Sequence, residues 1–233
     1  MKIAIMGAMP EEIAPLLEKM ERVEKVEYAR NSYYLATYRG IETVIAYSKI
    51  GKVFAALTAA TMIEKFGAEQ LLFSGVAGAI NPDLQIGDLI VATRLCQHDL
   101  DITAFGHPYG YVPEGSVYVD ADAHLLEIAR TVAAEKGIAL HEGIVATGDQ
   151  FIADETRKAW IAETFQADAL EMEGASVAVV CDSLEVPFFV LRAISDSADM
   201  DAGFNFDTFL ESSAKQSADF ILSMLDTMIA DRD

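Results

Sequence analysis

EMEGAS at 171–176 and LRAISDSAD at 191–199 decide how this chain is read. The first sets Glu171 and Glu173 around Met172, after an apolar run and at the start of a small-residue helix. The second sets Ser195 and Asp196 directly after the apolar VPFFVLRAI. A carboxylate at the mouth of a buried strand is costly to desolvate, so its placement there points to chemistry. Between the two stretches, ASVAVVCDSLE reads as the crossover helix of a strand–helix–strand unit. Such a unit brings both carboxylates to one edge of the sheet, where open α/β sheets bind ligands.

Working outward, KIAIMG (2–7) is a buried strand ended by Gly7. PEEIAPLLEKM follows as a helix, with Pro10, Glu11 and Glu12 in the first turn, where proline and acidic side chains are favoured. SYYLATY and IETVIAY form a hairpin joined at Arg39 and Gly40. Gly51 opens a helix over KVFAALTAATMIEKFG that Gly67 closes. QLLFSGVAGAI (70–80) is a strand running into a glycine-rich turn, and IGDLIVATRLC (86–96) is another strand. Residues 97–118 are aperiodic and rich in aromatic residues, glycine and proline, the pattern of a functional or interface loop. ADAHLLEIARTVAAEKG is a helix, HEGIVATGDQFI a strand and turn, and ETRKAWIAETF a helix. A last helix carries Phe206, Phe209, Leu210, Ser213, Ser217, Phe220, Ile221, Met224, Leu225, Met228 and Ile229 at three- and four-residue spacing. Alternating strands and helices with no linker or repeat imply one α/β domain over 1–233.

With 37 acidic and 17 basic residues, the formal charge is −20, which argues against nucleic acid and anionic membranes as partners. The hydrophobic fraction of 52% supplies a sizeable core. Cys96 and Cys181 are too few for a disulfide framework and read as buried thiols. The N-terminal apolar run is too short for a signal peptide and is followed by acids. No uncharged run approaches the ~18 residues of a membrane span. A reducing cytoplasm is the expected location.

FSGVAG (73–78) places Gly75 and Gly78 where a ligand or backbone could approach closely. Its spacing is neither the dinucleotide fingerprint nor a phosphate loop. His98, His107, His124 and His141 lack metal-ligand spacing, and no second cluster supports His98 with Asp99 and Asp101, so no metal is expected. Asp99 and Asp101 read as solvated or interface residues. Ser195 has no histidine close in sequence and no nucleophile-elbow flanks. Glu11 and Glu12 fit an ordinary first helical turn. Glu173 and Asp196 stand out, yet on pattern alone a structural role for them stays open.

The stretches GAMPEEI (7–13), SKIGKV (48–53), SGVAGAI (74–80), TGDQFI (147–152), EMEGAS, RAISDSAD (192–199) and FNFDTFL (204–210) occur in that order. Together they resemble the 5′-methylthioadenosine/S-adenosylhomocysteine nucleosidase family of the nucleoside phosphorylase superfamily. The likeness is closer to the bacterial branch that also cleaves 6-amino-6-deoxyfutalosine in menaquinone synthesis. The resemblance implies a three-layer α/β/α fold with a mixed, twisted central sheet, no cofactor, and release of adenine by water. It assigns Asp196 to protonating adenine N7, Glu12 to activating the water, and Arg192 to holding the water or that carboxylate. Glu173 would bind the ribose hydroxyls and Met172 would pack on the sugar. Phe151, Ile152 and Ser195 would hold the adenine, while Ile50 and Phe206 would close over the ribose and 5′ substituent. Gly78 falls in the matching SGVAGAI stretch. The loop around Phe105 and Pro113 would reach a partner's site, implying a homodimer. Position 76 departs from the pattern: Val76 stands where many members carry a serine, which removes a hydroxyl from the water site. Glu171 receives no chemistry. A phosphate-dependent phosphorylase and a non-catalytic nucleoside sensor are the alternatives, and Glu12 at the nucleophile side would repel phosphate.

Overall fold

The structure, a computed structural model, describes residues 1–199 and 201–230, without the side chain of Phe204. In chain order its elements are β1 (Lys2–Gly7), α1 (Pro10–Leu17), β2 (Glu21–Tyr28), β3 (Asn31–Tyr38), β4 (Ile41–Tyr47), α2 (Lys52–Glu64), β5 (Gln70–Ala79) and β6 (Leu89–Gln97). There follow β7 (Tyr118–Asp120), α3 (Ala123–Lys136), β8 (Leu140–Thr147), α4 (Glu155–Phe165), β9 (Ala169–Glu171), α5 (Gly174–Ser183), β10 (Phe188–Asp196) and α6 (Ala202–Ala230). The result is a mixed α/β fold on a central mixed sheet.

The centre of the sheet is parallel: β1 pairs with β4 and β5, and β5 pairs with β10. Strands buried on both faces need continuous apolar runs, and IAIM, LLF and FFVL supply them at nearly zero exposure. The hairpin at Arg39 and Gly40 forms, joining β3 to β4 in antiparallel register. Beyond it lies β2, which the sequence pattern hid: ERVEKVEY is exposed along most of its length and, among the described residues, pairs with β3 alone. An edge strand held by main-chain bonds needs no apolar alternation, and its charges discourage further pairing.

The other half of the sheet curls. β5 pairs with β10, β10 with β6, β6 with β8, β8 with β9, and β9 returns to β5. These five strands close on themselves, while β1, β4, β3 and β2 extend the sheet from β5 and the short β7 pairs antiparallel with the end of β6. The strand–helix–strand unit at the acidic signatures forms as β9, α5 and β10, and its carboxylates line one cavity. β9 and β10 do not pair with each other; β9 pairs antiparallel and β10 parallel with β5. Both carboxylate-bearing ends are thus fixed against one strand rather than against each other.

Helix α6 lies along β5 and β10, with Ser217, Phe220, Ile221, Met224 and Leu225 buried. Its opening turn is half-buried at Phe206, Phe209 and Leu210. Helices α2 and α5 pack together through small residues such as Ala55, Ala59, Ala175 and Ala178. Among the described residues no helix is long and apolar enough to cross a membrane.

Candidate active site

A cavity of about 270 Å³ opens at the ends of β1, β5 and β10. Glu12, Ile50, Val76, Gly78, Phe151, Ile152, Met172, Glu173, Ser195, Asp196 and Phe206 all line it. Segments scattered from α1 to α6 therefore meet at one place. Arg192 lies behind the wall, fully buried on β10. Phe105 and Pro113 do not line the cavity: both are exposed on the 98–117 loop, Phe105 at 81%.

Glu12 sits in the first turn of α1, but it is buried and turned back over the chain. Its Oε2 accepts the Ala8 N–H at 2.5 Å and the Met9 N–H at 3.0 Å, and its Oε1 accepts the Val76 N–H at 3.1 Å. A backbone N–H thus grips Glu12 where the missing serine hydroxyl had put the water site in question. Burial pushes the Glu12 carboxyl above its usual range, opposed by the Arg192 charge and these three N–H groups. Gly75 makes the arrangement possible. A Cβ there would lie 2.8 Å from Glu12 Oε1 and 3.0 Å from an Arg192 Nη. The glycine-rich strand end thus makes room for the Glu12 and Arg192 side chains.

Asp196 ends β10 just past a register shift between Ile194 and Asp196. The extra residue brings Asp196 opposite Gly78 and lets Ser195 and Asp196 both face the cavity, a common use of bulges beside active sites. A Cβ on Gly78 would stand 2.6 Å from Asp196 Oδ1. The Asp196 carboxylate accepts the Ser195 hydroxyl and the Ala198 N–H, each at 2.9 Å. Burial raises its pKa, and among the described residues its hydrogen bonds come from neutral groups. An acid that stays neutral at higher pH can give a proton to a leaving group.

Glu171, which the sequence left without a role, is an organising residue. Its Oε2 pairs with Arg192 Nη2 at 2.6 Å, with both side chains at most 2% exposed. The same oxygen accepts the Gly174 N–H at 2.7 Å and the Glu173 N–H at 3.1 Å, while Oε1 accepts the Thr147 hydroxyl. The Arg192 guanidinium rests 4.0 Å over the Phe73 ring. No local pattern separates Glu171 from Glu173; their difference comes from Arg192, on another strand. Asp99 likewise is not solvated: it pairs with Lys52 at 2.7 Å, both partly buried. Asp101 accepts the backbone and side-chain donors of Thr103. His98 is buried against Gly148. No group of three or more metal-binding side chains comes together among the described residues.

Glu173 lies at the N-terminus of α5 and accepts the Gly51 N–H at 2.9 Å. Desolvation, then the Glu171 charge, pushes its pKa from 4.5 up to about 8. With the folded value raised, the folded state holds a proton that the unfolded state releases between those pH values. The stabilising contribution is present below pH 4.5 and lost as pH rises through the folded value. Glu173→Gln, uncharged throughout, should therefore raise Tm relative to the parent more at pH 8 than at pH 5, in thermal melts at both. An equal difference at the two pH values would contradict the buried-charge account.

The sequence profile described as "Phosphorylase superfamily" matches residues 2–226. The chain is 59% identical over 228 residues to the aminodeoxyfutalosine nucleosidase of Campylobacter jejuni, covering 98% of this chain and all of that one. It is 40% identical over 230 residues to the 5′-methylthioadenosine/S-adenosylhomocysteine nucleosidase of Geobacillus kaustophilus, covering 98% of each. The solved Helicobacter pylori nucleosidase of that name, with butyl-thio-DADMe-Immucillin-A, matches at TM-score 0.95 and 49% identity, over 97% of this chain and 98% of that chain. The futalosine hydrolase of Helicobacter pylori matches at TM-score 0.95 and 48% identity, over 97% of each chain. Fold and cavity thus define a phosphorylase-superfamily enzyme acting at N-glycosidic bonds. Within it, the chain belongs to the 5′-methylthioadenosine/S-adenosylhomocysteine nucleosidase family, a family of N-glycosyl hydrolases.

Proposed function

We propose that this chain, as one nucleosidase domain, releases adenine from 5′-substituted adenosines by hydrolysis. The substrate class is 5′-methylthioadenosine, S-adenosylhomocysteine, 5′-deoxyadenosine and 6-amino-6-deoxyfutalosine. The last is favoured by the high identity to the Campylobacter jejuni relative, which would place the chain in menaquinone synthesis as well as methionine salvage. The observation that carries the reading is two buried carboxylates with unlike surroundings in one cavity: Glu12 held by N–H groups beside a cation, Asp196 with neutral hydrogen-bond donors among the described residues.

In the reaction, the Asp196 proton passes to adenine N7 as the bond from C1′ to the base breaks. The bonding electrons leave with the neutral base, and positive charge grows at the sugar, where nearby carboxylates stabilise it. Glu12 takes a proton from water, whose oxygen forms the new bond to C1′. The division of labour parallels two-carboxylate inverting hydrolysis, in which a base and an acid flank the sugar. Arg192, fixed by Glu171, opposes the desolvation of Glu12 and so favours its charged form. Glu173 accepts the ribose hydroxyls and Met172 packs on the sugar. Phe151 and Phe206, edge to face at 5.7 Å, border the base and the 5′ side with Ile152 and Ile50.

A phosphorylase would need a cation free to meet phosphate. The nucleophile side here presents Glu12, and Arg192 is already paired with Glu171. Val53, Phe54 and Leu57 leave an apolar face of α2 exposed, together with Phe105. These support a homodimer in which Phe105 and Pro113 of one protomer complete the other's site, in the cytoplasm, where Cys96 and Cys181 stay reduced. The test is adenine release from each nucleoside in phosphate-free buffer, with the oligomeric state measured by sedimentation. Turnover without phosphate is expected; turnover that required added phosphate would overturn the hydrolytic reading.

A further inference from the structure

We propose that Lys52, Asp99 and Asp149 form a clamp that sets the spacing between the base wall and the sugar wall of the cavity. They are positioning residues for the reaction proposed above, and the inference rests on that reading. The first two N–H groups at the N-terminus of α2 hold two different carboxylates. Gly51 N–H donates to Glu173 Oε1 at 2.9 Å, and Lys52 N–H donates to Asp149 Oδ1 at 2.7 Å. Glu173 belongs to the sugar wall. Asp149 opens the short run Gln150, Phe151, Ile152, all of which line the cavity. Lys52 then closes a ring: its Nζ donates to Asp99 Oδ1 at 2.7 Å, and Asp99 Oδ2 accepts the Asp149 N–H at 2.8 Å.

The backbone is shaped for this ring. Gly51 has φ +103, a region side chains disfavour, and a Cβ there would lie 3.0 Å from Asp149 Oδ1. Lys52 and Asp99 are each 17% exposed, so their pair is shielded more than a surface bridge. From below, the buried His98 ring presses on Gly148, where no Cβ would fit, and fixes the start of the same run. The walls also meet at their base, where the Gly148 N–H donates to the Glu171 carbonyl at 3.2 Å, but among the described residues no hydrogen bond links Asp149, Gln150, Phe151 or Ile152 to Met172 or Glu173. The N-terminus of α2 is where both are tied, so the clamp controls whether base and ribose are gripped at the same time. Small misplacements of that kind cost rate out of proportion to their size.

The experiment compares kcat and KM for adenine release in Asp149→Ala, Asp149→Asn and Lys52→Met, with Asp149→Ala repeated on a Glu173→Ala background. Asp149→Ala should lower kcat/KM by about tenfold or more, the order expected when a reacting group is displaced by less than an ångström. Asp149→Asn, which keeps an oxygen for the Lys52 N–H, should recover most of that loss. On the Glu173→Ala background, Asp149→Ala should cost far less, because the sugar-side grip it supports is already gone. Kinetics close to the parent in Asp149→Ala, no recovery in Asp149→Asn, or the same cost on both backgrounds would each overturn the clamp. If Asp149→Ala does not fold, Lys52→Met, which keeps its backbone N–H but loses the Asp99 bond, is read against the same criteria alone and with Glu173→Ala. A parent protein that released no adenine would instead count against the nucleosidase reading.

Discussion

Asp196→Asn is expected to lower kcat by about 10²–10⁴-fold, the usual worth of a positioned general acid, while nucleoside affinity changes little. The side chains have the same shape. The amide oxygen can accept the Ala198 N–H as Oδ1 does now, and the amide nitrogen can donate to Ser195 once that hydroxyl rotates. What disappears is the proton. The wild-type carboxyl holds it to higher pH than an exposed aspartate because burial disfavours the charged form. Wild-type turnover should accordingly fall as pH rises through the folded-state pKa of Asp196. The variant, with nothing to titrate there, should lose that alkaline limb along with its rate. Stopped assays for kcat, calorimetry for affinity and a pH profile of both proteins check the three statements. Turnover near wild type would move the acid role to another group.

How far the chain could be read in advance depends on how local each cause is. Central strands announced themselves because both faces are buried and the sequence must stay apolar through IAIM, LLF and FFVL. Gly137 was legible as a helix end, and its φ of +64 is why a glycine stands there. β2 was not, since ERVEKVEY buries almost nothing and exists through pairing with β3. β9, at three residues, is too short for any periodicity, and the closure of β5, β10, β6, β8 and β9 lies wholly in long-range pairing. In the site, Asp196 and Glu173 were visible as carboxylates beside apolar runs. Glu12 looked like an ordinary first-turn acid, because what distinguishes it comes from the N–H of Val76 and the charge of Arg192 on other strands. Phe105 and Pro113, which the resemblance placed at a partner's site, fall outside the cavity.

Glu171→Ala carries the largest expected effect on stability. Its partner Arg192 is buried, donates from Nη2 to Glu171 Oε2 and from Nη1 to the Leu191 carbonyl, and leaves Nε without a partner among the described residues. Removing one member of such a pair strands a charge away from water and typically costs about 3–5 kcal/mol. In a chain of this length that is a drop in Tm of roughly 6–20 °C. The Thr147 hydroxyl and the N–H groups of Glu173 and Gly174 lose an acceptor at the same time, so the start of α5 should loosen as well. Pairing Glu171→Met with Arg192→Met separates folding from catalysis. Two apolar side chains of similar length replace the ion pair without an orphaned charge, an exchange that is often neutral or better for stability. Thermal melts should therefore recover most of the loss. Activity should not recover, because Glu12 then lacks the cation that opposes its desolvation and is protonated over more of the working pH range. A double variant that regained both stability and turnover would show that Arg192 serves only the fold. One that regained stability alone would assign the buried pair to holding the water-activating carboxylate in its charged form.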